Sequence, residues 1–227
     1  LCIGAVARIQ DPPWTSFWGW VISSGTKQIT KVLAKKGHSA NPQAEVTLWT
    51  HTKDVLEASR ALFGEEQPSR LARKWFDFFK VSVEHWPVFR KRLDLAVLWH
   101  DMGKATCSFQ LMLSGEVQDQ VVRHEYLSWR LLVEALGRER GLKEDLVPIG
   151  FAILDHHLKC GPRYLKALFP NPLEVQIYRE DTSVSRILEQ TAKLVGVGSA
   201  LPATLSGAEL TDSKRWASLL RKARTQY

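Results

Sequence analysis

The stretch Leu93-Asp94-Leu95-Ala96-Val97-Leu98-Trp99-His100-Asp101-Met102-Gly103-Lys104 constrains this chain more than any other. It is an apolar run, long enough to be a buried helix, that ends in two adjacent metal-binding side chains. Successive helical residues point about 100° apart. His100 and Asp101 therefore diverge, so that the carboxylate is able to bridge two cations while the imidazole serves one. Gly103 is read as the helix stop, in the manner of a C′ glycine, with Lys104 directly behind it. A His-Asp pair alone is a weak signal, because the dipeptide occurs by chance in many chains. The other histidines decide the matter.

Of the 7 histidines, His51, His100, His124, His156 and His157 fall at the ends or first turns of separate expected helices. From Thr52 to Phe63, Val55, Leu56, Ala58, Leu62 and Phe63 recur at three- and four-residue intervals, with His51 at the mouth and Gly64 closing the segment. Ser69 to Val83 is expected as a second helix with Leu71, Trp75, Phe78 and Phe79 inward and Arg70, Arg73, Lys74 and Lys80 outward. Val121 to Leu136 carries His124 in its first turns. Leu146 to Leu158 is apolar nearly all round, as a buried helix is, and includes Asp155-His156-His157 near its end. Val184 to Val195 and Ser206 to Arg224 complete the set, the last placing Asp212 at the edge of a face made by Leu210, Trp216, Leu219 and Leu220. The expected fold is mainly α.

Residues 1–45 differ from this rhythm. Val6-Ala7-Arg8-Ile9 and Trp20-Val21-Ile22 read as short strands around Asp11-Pro12-Pro13, and the Lys35 to Pro42 stretch has linker chemistry. The expectation is an N-terminal extension over 1–45 and one helical domain over 46–227. The chain of 227 residues carries a net charge of +7, which fits a polyanionic partner. Its three cysteines, Cys2, Cys107 and Cys160, form no C-x-x-C pair, which points to a reducing compartment and hence the cytoplasm. No stretch approaches the ~18 apolar residues of a membrane span. A G-x-x-x-x-G-K-[ST] phosphate loop is absent from the sequence, so no nucleotide-driven motor is expected within it.

Burying several imidazoles and a carboxylate is costly unless something satisfies them, and divalent cations do so efficiently. Nitrogen-rich sites with a bridging carboxylate suit Mn, Fe, Co, Ni or Zn, whereas magnesium prefers oxygen. Two such transition metals are expected. Ions held ~3.5–4 Å apart acidify water and brace in-line displacement at a phosphodiester, so phosphoryl hydrolysis is the natural reaction. Arg90, Lys91 and Arg92 before the His-Asp run, and Lys159 and Arg163 after His157, are the candidate contacts for a nucleic-acid strand.

His51, then His100-Asp101 with Gly103-Lys104, then His124, then His156-His157, then Asp212 resemble in order the signature of the HD phosphohydrolase superfamily. More narrowly they resemble the HD nuclease domain of the CRISPR type I helicase–nuclease. His51-Thr52-Lys53-Asp54-Val55 matches that family's H-[ST]-x-D-V opening. The separate His124 and the paired His156-His157 are similar to the nuclease branch, not to the four-ligand, single-metal pattern of many HD proteins. Thr211-Asp212-Ser213-Lys214-Arg215-Trp216-Ala217-Ser218 is a looser version of the family's A-D-x-x-A-S context.

Covering roughly residues 46–222, the resemblance implies a helical bundle around a dinuclear site. By the family's pattern His51, His100, Asp101 and Asp212 hold one metal and His124, His156 and His157 the other. Asp101 bridges the two, and Lys104 stabilises charge beside the scissile phosphate. The implied activity is endo- or exonucleolytic cleavage of single-stranded DNA in CRISPR interference. The implied partners are a helicase domain or subunit and an RNA-guided surveillance complex, which leaves sequence selection to the guide. The alternative is an HD phosphohydrolase acting on nucleotides or cyclic nucleotides.

Overall fold

The structure, a computed structural model, describes residues 31–36, 45–116, 122–157 and 174–206. The expected strands near Val6 and Trp20, the helix carrying Asp212, and Lys159 and Arg163 lie outside the described residues. The chain divides into two compact units, Leu1–Thr30 and Lys31–Tyr227.

The second unit is mainly helical. In chain order its described residues form β1 (Leu33–Lys35), β2 (Val46–Thr47), α1 (Leu48–Phe63), α2 (Arg70–Phe78), α3 (Trp86–Trp99), α4 (Cys107–Ser114), α5 (His124–Leu136), α6 (Lys143–Asp155), β3 (Glu174–Gln176), α7 (Thr182–Val195) and β4 (Thr204–Ser206). Single 3-10 turns span Val83–His85, Met102–Ala105 and Arg140–Leu142. Side-chain caps set several starts. Thr47 Oγ1 accepts from Thr50 N at 3.1 Å, Ser69 Oγ from Ala72 N at 3.1 Å, and Asp181 Oδ1 from Ser183 N at 2.7 Å. The Thr47 cap starts α1 ahead of the expected Thr52, so His51 sits inside its first turn.

Helix α3 is the hub, packing on α1, α5, α6 and α7. Its Leu95, Leu98 and Trp99 meet a core that includes Leu48, Leu127, Leu131, Ile149, Ile153 and Ile187. Burying each such side chain is worth about 1.5–3 kcal/mol. Trp99 Nε1 donates to Thr191 Oγ1 at 3.0 Å, which satisfies the one polar atom that so large a ring carries inward.

The strands are short ties. β1 pairs antiparallel with β2, and β3 with β4. Leu48 N donates to Val32 O at 3.0 Å, and Gln110 Nε2 donates to Leu33 O at 2.9 Å. Residues 31–36 are thus built into the helical unit, ahead of the boundary expected near residue 45. Neither α4 nor the β3–β4 ribbon is visible in the sequence periodicity.

Two expectations are corrected. The inward face of α2 is Ala72 and Phe76, whereas Leu71, Trp75, Phe78 and Phe79 are exposed, Phe78 by 76%. Gly103 does not stop α3 through a left-handed turn, because α3 ends at Trp99 and Gly103 lies within the 3-10 turn that follows. A Cβ at Gly103 would meet His124 O at 2.1 Å, so glycine is needed there for close approach between that turn and α5.

Candidate metal centre

Four helix ends converge on Asp101. His51 comes from the first turn of α1, His100 and Asp101 follow the end of α3, His124 opens α5, and His156 and His157 follow α6. Asp101 is 1% exposed. Its Oδ2 lies 3.0 Å from His51 Nε2 and 3.2 Å from His100 Nε2. Its Oδ1 lies 3.2 Å from His124 Nε2 and 3.6 Å from His156 Nε2. His51 and His100 Nε2 are 3.3 Å apart, and His124 and His157 Nε2 are 3.2 Å apart. One carboxylate therefore faces two imidazole groups, one with each oxygen.

The hydrogen bonds behind the rings define what faces inward. His100 Nδ1 donates to Val97 O at 2.7 Å, and His156 Nδ1 donates to Ile153 O at 2.6 Å. A carbonyl only accepts, so Nδ1 carries a proton in both rings and Nε2 is the nitrogen turned toward Asp101. Nε2 atoms crowded on a carboxylate and on one another are satisfied by a cation among them, a ring proton or a metal ion. Asp101 Oδ1 and His156 Nε2 are both buried, and neither meets a partner in hydrogen-bond geometry. His51, His100 and Asp101 form one group that could hold a metal ion, and Asp101, His124, His156 and His157 form another, with donor atoms in each within 4.8 Å. The donor set fits transition ions better than magnesium.

The electrostatics follow from this packing. Burial by itself would push the Asp101 pKa up, but the contacts from His100, His124, His156 and His51 outweigh it and hold the carboxyl well below the usual carboxylate range. Burial lowers His124 despite the neighbouring Asp101. In His156 burial acts downward too, yet Asp101 and the Ile153 carbonyl prevail and raise it. His157 is lowered by burial and by the adjacent His156 and His124.

Lys104 is buried as well. Its Nζ lies 2.8 Å from Asp101 Oδ2 and 3.4 Å from Ala34 O, and its ammonium sits 5.5 Å from the centre of the Phe109 ring. Glu125 went unnoticed in the sequence. It is buried, ion-paired to Arg123, with Oε2 3.5 Å from His124 Nδ1. An acid directly after a helix-opening histidine is the signal that marks it, since ligand imidazoles commonly rest on such a group.

The basic run before the His-Asp pair is tied up in ion pairs, one of its residues buried and two half-exposed. Arg90 is 7% exposed and bonded to Asp94, to Ser59 Oγ at 3.0 Å and to Gly64 O at 3.2 Å. It is therefore a cross-link between α1 and α3, which corrects its assignment to a strand path. Arg92 Nε lies 2.8 Å from Asp145 Oδ1, and Lys91 Nζ lies 3.9 Å from Oδ2 of the same residue.

The family model for the HD domain of Cas3 matches residues 33–220. The chain belongs to the Cas3 HD family. A curated relative from Myxococcus xanthus (strain DK1622), which carries the name CRISPR-associated nuclease/helicase Cas3, is 29% identical over 177 residues. That match covers 71% of this Cas3 HD chain and 23% of the relative, so the chain spans less than a quarter of that protein. No solved structure matches the chain. Among the described residues of this Cas3 HD domain, no helix is long and apolar enough to cross a membrane.

Proposed function

We propose that this Cas3 HD domain is a metal-dependent nuclease that cuts single-stranded DNA during CRISPR interference. In this reading it works in the cytoplasm with a helicase and an RNA-guided surveillance complex. The observation that carries it is the buried Asp101 carboxylate with one oxygen turned to His51 and His100 and the other to His124 and His156. Asp101 Oδ2 with His51 and His100 would hold one ion, joined by Asp212 on the family's pattern. Asp101 Oδ1 with His124, His156 and His157 would hold the second. Divalent ions of the Mn, Fe, Co, Ni or Zn class supply Lewis-acid stabilisation and water activation at a phosphodiester.

The chain's own residues do the rest. The Val97 and Ile153 carbonyls fix the tautomers of His100 and His156, so both rings arrive oriented. Lys104 sets its side-chain nitrogen against Asp101 Oδ2, where negative charge on a phosphate would gather. Phosphate contacts from a chain of net charge +7 require no base reading, which suits a nuclease whose target is chosen elsewhere. The helicase partner is supported by the relative's name, which joins nuclease and helicase.

The test is incubation of metal-loaded protein with circular single-stranded DNA, with mononucleotides and cyclic nucleotides in parallel. Linear and then shorter products from the circles are expected, with cleavage weakening as salt rises. Intact circles beside hydrolysed nucleotides would transfer the assignment to a small-molecule phosphohydrolase.

A further inference from the structure

Helix α2 is amphipathic twice over. At about 100° per residue, Ala72 and Phe76 mark its buried flank, Leu71, Trp75, Phe78 and Phe79 a second flank, and Arg70, Arg73 and Lys74 a third, which includes Asp77 as the helix's one acid. Lys80 follows at the helix end with φ 57°, adding a cation there. The apolar flank runs into a groove of about 480 Å³ between α2, α3 and α6, lined by Trp75, Val81, Val88, Phe89, Leu93 and Ile149. Phe78 and Phe79 are exposed by 76% and 53%. Contiguous exposed patches of large apolar side chains are rare and mark interaction sites.

We infer that this face is a docking site for a protein helix whose apolar stripe is flanked by acidic residues. An apolar helix face seated in such a groove is a common mode of recognition, and Arg70, Arg73 and Lys74 along one edge select the acidic flank by charge. The chain's own C-terminal segment, with Lys214, Arg215, Arg221, Lys222 and Arg224, carries the wrong sign to cover that edge. A second copy, at net +7, is disfavoured for the same reason. A nucleic-acid strand matches the cations but not the apolar part. The Trp75 and Phe79 rings pack 4.6 Å apart at 53° and the Phe78 and Phe79 rings 4.9 Å apart at 86°, so they cover one another and present no series of open faces for bases. Leu71, Val81 and Val88 have no face to offer at all.

The probes are a labelled amphipathic peptide of leucine and glutamate, its leucine and lysine counterpart, and labelled oligothymidylate, each titrated into the full chain by fluorescence anisotropy. The glutamate peptide should bind. Phe78→Glu and Lys74→Glu should each weaken it by about 10-fold or more, the size of effect expected at the centre of an interface. Both residues are exposed, so folding and metal content should be unchanged. Equal binding of the lysine peptide, or no binding of the glutamate peptide, would overturn the inference. So would oligothymidylate binding that Phe78→Glu abolishes while the glutamate peptide stays free, or a dimer in sedimentation that the same substitution dissociates.

Discussion

Lys104 Nζ lies 2.8 Å from Asp101 Oδ2, with both side chains inside the protein. The two play different parts, and substitution separates them. Asp101→Ala removes the carboxylate common to both candidate ion groups, so bound metal and cleavage should fall together. Lys104→Met keeps the stem packed on Phe109 and deletes the charge, so metal content should hold while the cleavage rate drops by about 10-fold or more. Elemental analysis beside a single-turnover rate checks both variants. Full activity in the Asp101 variant would rule out a shared-carboxylate site.

Metal uptake should release protons. Against the lowering effect of burial, Asp101 and the Ile153 carbonyl raise His156 above the ordinary histidine range, so it holds its proton further toward neutral pH than a free histidine does. Its contribution to metal-free stability is fully present below about pH 6.5 and is lost as pH rises through its higher folded value. Asp101 has the opposite sign. Its depressed pKa contributes stability above about pH 3.9 that is lost only as pH falls through a still lower folded value. A cation competes with the His156 proton, so affinity should weaken on acidification through the histidine range. Calorimetry in buffers of different ionisation enthalpy reads the release directly. A binding enthalpy independent of buffer would exclude it.

Arg90→Ala should be a stability variant, not a DNA-binding one. It leaves the buried Asp94 only its 3.9 Å contact with Arg60 and frees Ser59, and breaking a buried ion pair by removing one partner typically costs about 3–5 kcal/mol. Chemical denaturation should show that loss, while the folded fraction binds single strands as before. Unchanged stability with weaker DNA binding would restore Arg90 to the strand path.

Asp212→Asn should lower activity by about 10-fold or more with the fold intact, the scale at which perturbing a metal's ligand environment acts. Circular dichroism and a cleavage time course suffice. Wild-type rates would mean that the family's final acid lies at another position in this chain.

The sequence made the candidate metal centre more legible than the surface. His100-Asp101 and His156-His157 stand out because each interrupts an apolar helix at its end, where a polar side chain needs a reason to be. Helix α2 misled for the opposite reason. Leu71, Trp75, Phe78 and Phe79 outnumber Ala72 and Phe76, and periodicity counts apolar residues without knowing which flank meets the core. Arg90 was read with its neighbours as a surface run, although Asp94 four residues on, in a helix otherwise apolar at that point, is the local sign of an internal pair. Short elements such as α4 and the β3–β4 ribbon span too few residues to show a period.

Gly103 contributes no side-chain ligand and no charge, yet it sets the clearance between the turn after α3 and the start of α5. Any side chain there would act as a wedge, lifting His124 away from Asp101 while leaving each ligand in the sequence. The centre is thus vulnerable at a position that an inventory of functional groups would pass over. Loss of activity in a Gly103 variant would reflect a gap opened between two backbones, with all the chemistry still present on either side of it.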